Sequence, residues 1–193
     1  MEKELFGFIS KYMTLTADEK QMIMDSDIFR SFKKGTVLLK EGEFSKESYF
    51  VIKGCLRIYF IIDGEEKTTA FYTDLESITP ASLKTKIKSD YFISCVEDSI
   101  LTVSNPDMER ESFEKFPRFE TLCRIMSEEL LIKSQTSFAN FMNSTPEQRY
   151  VNLIKIRPDL VQRVPQYQLA SYLGMKPESL SRIRKRLLQK SKL

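Results

Sequence analysis

Apolar residues along this chain follow two different periods, and the change between them divides it. Over residues 2–29 they recur at three- and four-residue steps, with Leu5, Phe8, Ile9 and Tyr12 in one patch and Ile23, Met24 and Ile28 in a second. That spacing predicts two amphipathic helices. Thr16 followed by Glu19 has the form of a capping box and marks the start of the second. From Ser31 the texture shortens to runs of β-branched and aromatic residues, FKKGTVLLKEGEFSKESYFVIKGCLRIYFIIDGEEKTTAFYTD, punctuated by Gly35, Gly42, Gly54 and Gly64. Such runs predict short antiparallel strands in a sandwich or roll. Asp63-Gly64, between Ile62 and a polar strand, is a two-residue hairpin signal, and Ile93 to Val103 reads as the last strand.

The helical period then returns. Asn105-Pro106-Asp107 looks like a helix start, and a second comes at Phe116-Pro117. From Pro117 to about Met142 there is no internal Gly or Pro, and Phe119, Leu122, Met126 and Leu130 form one narrow seam. A long helix with such a seam suits a two-stranded coiled coil and makes these four residues the candidate dimer interface. Packing of the seam on the chain's own strands is the competing arrangement, and Lys133, Gln135 and Thr136 dilute it towards its end. Asn143-Ser144-Thr145-Pro146-Glu147 breaks the helix and starts another. The expected organisation is a strand-rich domain over 1–115, a long helix over 116–143 that is the candidate dimerisation element, and a third domain over 144–193. Arg149, Tyr150, Leu153 and Ile154 give that third domain a short helix ending before Pro158.

Val164 to Gln189, VPQYQLASYLGMKPESLSRIRKRLLQ, reads as two short helices hinged at Gly174. A glycine just past the last apolar residue is the usual left-handed cap, and Pro177 suits the first turn of the next helix. Leu180, Ile183, Leu187 and Leu188 are expected to bury one face of that helix, leaving Glu178, Ser181, Arg182 and Lys185 on the other. In a helix-turn-helix the second helix enters the DNA major groove by its N-terminal half. There an arginine fork matches the two acceptors of guanine, and a glutamate accepts from the cytosine amino group. From Lys176 to Leu193 seven Lys/Arg face one Glu, a net +6 in a chain of net +3, so the remaining residues sum to −3. Basicity confined to one helix is what phosphate contact asks for. The candidate DNA-contacting set is Lys176, Pro177, Glu178, Ser179, Ser181, Arg182, Lys185 and Lys190, with Lys185 and Lys190 assigned to phosphate. The plainer alternative is a Glu178–Arg182 ion pair on a solvated helix face.

LASYLGMKPESLSRIRKRL resembles the helix-turn-helix of the Crp/Fnr family of bacterial transcription regulators. Glu178, Ser181 and Arg182 fall on the Glu-x-x-Ser-Arg pattern of its Fnr-like branch, whose matching residues read the bases of each half-site. Pro177 stands where Crp-like members carry an arginine. The spacing of Gly35, Gly42 and Gly54 is similar to that of the cyclic-nucleotide-binding β-roll of the same family. The resemblance implies an α+β fold: an N-terminal antiparallel β-roll (double-stranded β-helix), a long dimerisation helix and a C-terminal winged helix-turn-helix. The small strands of the wing are implied by the resemblance alone. It implies as partners double-stranded DNA, a second copy of the chain and RNA polymerase.

The family's cyclic-nucleotide binders carry a Gly-Glu pair on the ribose and an Arg-Ser or Arg-Thr on the cyclic phosphate. Between Phe71 and Cys95 this chain has no Gly-Glu, and Ser89-Asp90-Tyr91 stands where the arginine is expected. A carboxylate there repels a phosphate, so cyclic nucleotide binding in the usual way is not expected. Tyr72, Glu76, Lys84 and Tyr91 are the candidate lining of an effector pocket of unknown specificity, and alternating Lys84, Lys86 and Lys88 read as a solvated loop. The competing function is a β-roll regulatory subunit that acts on a partner protein rather than on DNA.

Composition narrows the field further. The chain has 193 residues and no histidine, so histidine-based zinc sites, Ser-His and Cys-His nucleophile pairs and histidine-ligated haem cannot be built from it. Neither Gly-x-Gly-x-x-Gly nor a phosphate loop occurs among its six glycines. No enzyme activity and no cofactor are expected. Cys55, Cys95 and Cys123 are odd in number and far apart, which argues against a disulfide framework or a clustered iron–sulfur site. No apolar run is long enough for a membrane span, and MEKELFGF lacks the basic start and apolar core of a secretory signal, so a cytoplasmic protein is expected. The closing Ser-Lys-Leu is read as a chance match to a peroxisomal address.

Overall fold

The computed structural model describes residues 2–85 and 87–190, the side chain of Lys190 excepted. The chain forms two compact units, Met1–Ile58 with Phe71–Leu130, and Tyr59–Ala70 with Leu131–Leu193.

Among the described residues eight strands make the roll: β1 (Phe29–Phe32), β2 (Val37–Leu39), β3 (Ser48–Lys53), β4 (Leu56–Ile62), β5 (Glu65–Tyr72), β6 (Ser77–Ile78), β7 (Phe92–Cys95) and β8 (Ser99–Ser104). They lie in two four-stranded sheets, ordered β1-β8-β3-β6 and β2-β7-β4-β5. First pairs with last, second with seventh, third with sixth and fourth with fifth, as in a hairpin folded in half and wound up. The fulcrum is the Asp63-Gly64 turn, where φ is 52° and 77°. Both central residues therefore adopt the left-handed conformation that a tight hairpin demands. The expected single strand from Ile93 to Val103 is two strands, β7 and β8, in different sheets. A turn at Val96–Asp98 separates them, with Asp98 accepting from the Lys34 amide at 2.9 Å and from Lys33 Nζ at 2.8 Å.

Alternation puts one face of each strand inside. Leu39, Tyr49, Val51, Leu56, Ile78, Ile93, Cys95, Leu101 and Val103 fill the roll with their own side chains. Tyr49 opposes Val103 and Val51 opposes Leu101 across the β3–β8 ladder. Each such fully buried aliphatic stabilises the fold by about 1.5–3 kcal/mol. Gly54 has a packing reason for being glycine, because a Cβ there would stand 2.3 Å from Ser99 Oγ and 2.8 Å from Ser99 Cα, at φ 127°.

Helices α1 (Glu2–Ile9), α2 (Ala17–Asp25) and α4 (Pro106–Lys115), with the start of the long helix α5 (Arg118–Met142), supply the second core of this unit, packing through Leu5, Ile9, Ile23, Phe113, Phe119 and Leu122 on Phe50, Ile52 and Ile100. The capping box of α2 is present, with Thr16 Oγ1 accepting from the Glu19 amide and Glu19 Oε2 from the Thr16 amide at 2.7 Å. Glu19 is buried, and the Arg118 guanidinium 3.3 Å away balances its charge. Asn105 caps α4 by accepting from the Asp107 and Met108 amides. A one-turn helix, α3 (Ala81–Lys84), interrupts the loop before β7.

In the second unit Thr145 caps α6 (Pro146–Ile156) in a second capping box, with Gln148, and Pro146 occupies the first turn. After it come α7 (Pro158–Arg163), α8 (Gln166–Tyr172) and α9 (Pro177–Lys190). Tyr150, Leu153, Leu160, Val164, Leu169, Ala170, Leu173, Leu180 and Ile183 form its buried centre. The wing implied by the resemblance has no strand among the described residues of 144–190; the stretch between Ile156 and Val164 holds α7, which Pro158 starts.

Candidate nucleic-acid interface

The turn between α8 and α9 is built from a specific set of backbone bonds. The Met175 amide donates to the Ala170 carbonyl and the Gly174 amide to the Ser171 carbonyl, each at 3.0 Å. These are the two bonds of a Schellman cap, and Gly174 has the required left-handed backbone at φ 67°. Pro177 then starts α9, and the Leu180 amide donates to the Lys176 carbonyl at 3.2 Å to close its first turn. Gly174 is tight as well as left-handed, since a Cβ would lie 3.0 Å from Arg149 Nη1 and 3.2 Å from Phe141 Cζ.

Arg149 is the staple behind that turn. Its guanidinium carbon stacks 3.7 Å from the centre of the Phe141 ring, its Nε donates to the Phe141 carbonyl and its Nη1 to the Leu173 carbonyl, both at 3.1 Å. Arg149 thus ties the end of α5 to the last residue before the turn. Arg186 pairs with Glu147 and clasps α9 to the start of α6.

With its inner face fixed, α9 exposes its outer one. Leu180 and Ile183 are buried, and Lys176, Pro177, Glu178, Ser181, Arg182 and Lys185 are exposed, with Ser179 half-buried. Glu178 and Arg182 form no ion pair with each other among the described residues. The Lys190 side chain lies outside the described residues. Leu188, expected on the buried face, is 62% exposed. It lies in the last turn of α9.

The remaining expected sites disperse. Of the dimer seam, Phe119 and Leu122 are buried in the first unit, and Met126 and Leu130 are half-buried. Leu131, Phe138 and Met142, spaced i, i+7 and i+11 on one side of α5, are exposed by 58%, 68% and 64%. In the roll, Glu76 Oε2 accepts from the Thr73 amide at 2.7 Å, Tyr91 Oη accepts from the Ala81 amide at 3.1 Å, and Tyr72 packs against the interior cluster. Lys84 Nζ points to Glu109 Oε2 on α4, 3.1 Å away. Each has a structural partner. Tyr49 is buried in the interior cluster of the roll, and its phenol pKa is pushed up to about 12, first by burial and then by the Glu47 carboxylate.

Sequence reasoning passed over Arg149 as an ordinary helical residue and Ser171 entirely. Their partners, Phe141, Leu173 and the β5 backbone, are contacts that no short-range pattern encodes.

Residues 29–116 match the family model of the cyclic nucleotide-binding domain. None of the curated proteins compared matches the chain. Among solved structures, FixK2 from Bradyrhizobium japonicum is similar at 16% identity over 84% of this chain and 85% of that one, with a TM-score of 0.69. The c-di-GMP-responsive global regulator CLP of Xanthomonas campestris is also 16% identical over 84% and 87% of the two chains, at a TM-score of 0.65. A transcriptional regulator assigned to the Crp/Fnr family from Eubacterium rectale matches over 91% of this chain and 85% of its own, at 16% identity and a TM-score of 0.65. Residues 29–116 are therefore a cyclic nucleotide-binding-type domain, in a chain that has the fold of the Crp/Fnr transcription regulators.

Proposed function

We propose that this chain is a Crp/Fnr-type transcription regulator that binds a palindromic DNA operator as a homodimer. The observation that carries the reading is the outer face of α9, where Glu178, Ser181 and Arg182 are exposed together at the N-terminal half of a helix locked into a helix-turn-helix. Arg182 and Glu178 read a G·C pair in each half-site. Ser181 adds a contact at the same depth, while Lys176, Pro177 and Ser179 lie along the entry of the helix. Lys185 and Lys190 bind phosphate and contribute to affinity without contributing to sequence choice.

One such helix reads too few bases for useful specificity, and a two-fold axis repeats it about 34 Å further along the duplex. We place the dimer seam on α5, with Met126 and Leu130 continued by the exposed Leu131, Phe138 and Met142. The functional division is a sensor over 1–115, the helix over 116–143 and the DNA-binding domain over 144–193. The sensor does not take a cyclic nucleotide in the usual way: its interior is filled by its own side chains, and Tyr72, Glu76, Lys84 and Tyr91 are engaged within the fold. Any effector acts by shifting an existing equilibrium between arrangements of the DNA-binding helices. RNA polymerase is the partner at the promoter.

Two measurements test the reading. Binding to duplex DNA weakens steeply with salt, and selection from random duplexes recovers a symmetric site. Salt-independent binding, or a selected pool without symmetry, rejects it. Calorimetry with cyclic AMP and cyclic GMP shows no heat at micromolar concentration, and saturable binding refutes the assignment of the roll.

A further inference from the structure

Strand β5 ends its sheet in the order β2-β7-β4-β5, so one side of it carries backbone groups that no further strand pairs. Glu66 and Thr68, two residues apart, present a carbonyl and an amide to the same side. A single hydroxyl answers both: Ser171 Oγ on α8 accepts from the Thr68 amide at 2.9 Å and donates to the Glu66 carbonyl at 3.0 Å. All three residues belong to the second compact unit. Burial gives an independent sign of the same seat, because between Ile61 and Thr69 every residue is exposed except Thr68.

We propose that Ser171 is the positioning residue that seats the helix-turn-helix on the open edge of β5. The inference rests on the DNA-binding reading of α9 for its consequence and not for its geometry. Ser171 is suited to transmit position because its two ends do different work. Its hydroxyl holds the strand edge, and its carbonyl accepts from the Gly174 amide inside the cap that aims α9. Moving Ser171 on its seat therefore moves the turn and the first residues of the recognition helix. Covering the edge also removes a template for pairing with another strand.

The test compares wild-type full-length protein with Ser171→Ala and Ser171→Thr, the first removing the hydroxyl and the second keeping it. Alanine is a strong helix former, so α8 persists without the hydroxyl. Hydrogen exchange at the Thr68 amide reads the seat directly. It should quicken about tenfold in Ser171→Ala, as expected for the loss of one hydrogen bond, and return in Ser171→Thr. Affinity for the selected duplex should fall roughly five- to tenfold in Ser171→Ala and recover in Ser171→Thr, with the preferred bases unchanged and tolerance of half-site spacing widened. Thr68 exchange that is indifferent to the hydroxyl overturns the seat. Thr68 exchange that follows the hydroxyl while duplex affinity does not overturns the positioning role. If wild-type protein binds no duplex while Thr68 still follows Ser171, the seat stands and the DNA-binding reading fails.

Discussion

Gly174→Ala is the sharpest test of how the helix-turn-helix is held. Two costs are separable in the structure. A residue with a Cβ in the left-handed region loses about 1–2 kcal/mol, and Gly174 has φ 67°. The second cost is contact: the new Cβ would lie 3.0 Å from Arg149 Nη1 and 3.2 Å from Phe141 Cζ, so the stacked pair must retreat by a few tenths of an ångström. Arg149 cannot retreat freely, being held by two hydrogen bonds of 3.1 Å. Pushing its Nη1 off the Leu173 carbonyl forfeits a charge-assisted bond worth about 1.5–3 kcal/mol, which is the upper bound of this term. Together the two terms reach at most about 2.5–5 kcal/mol, taken from the stability of the second unit. Native-state amide exchange at the buried Leu173 and Leu180 reads that loss. The two terms are separated by a double-mutant cycle with Arg149→Ala. In the Arg149→Ala background the nearer obstacle is gone and the Phe141 ring is no longer held under the guanidinium, so Gly174→Ala costs little beyond the backbone term, leaving a coupling of about 1 kcal/mol or more. Additivity within about 0.5 kcal/mol, or a Gly174→Ala cost below about 1 kcal/mol, refutes the reasoning.

Other predictions follow from single features. Lys185→Ala lowers the slope of log affinity against log salt by about one and leaves the selected sequence unchanged, as quantitative binding at several salt concentrations will show. Leu131→Glu with Phe138→Glu places charges on the exposed stripe of α5 and shifts the chain to monomer in sedimentation analysis; an unchanged dimer moves the seam elsewhere. Tyr49 has a folded-state pKa raised from 10.0 to about 12, so its contribution to stability is intact below pH 10 and is lost as pH rises towards 12. Chemical denaturation between pH 9 and 12 should show that loss, smaller in Tyr49→Phe.

Much of the fold is legible in the sequence because it is written in local signals. Thr16 with Glu19, Asn105 before Pro106, and Thr145 before Pro146 each supply a cap through a side chain within three residues of its target, and all three start helices in the structure. Asp63-Gly64 and Gly174 announce left-handed backbone, and both positions have it. What stays hidden depends on distant partners. The split of Ile93–Val103 turns on Asp98 meeting Lys33 and Lys34 some 64 residues away. The seam of α5 is periodic, and periodicity cannot say whether Phe119 and Leu122 meet their own chain or a second copy; here they meet Leu5, Ile23 and Ile52. At the proposed DNA-binding face, Glu178, Ser181 and Arg182 belong to one short stretch whose helix spacing is local and legible. The supports behind them, Arg149 and Ser171, bind backbone groups that carry no sequence identity.

The central claim is that Arg182 reads a base rather than adding charge. Affinities of wild type and Arg182→Ala, measured side by side on the selected palindrome and on a random duplex at one salt concentration, test it most directly. The account predicts a loss of about 1–3 kcal/mol on the palindrome, a much smaller loss on the random duplex, and relaxed preference at one base pair of each half-site. Equal weakening on both duplexes contradicts it.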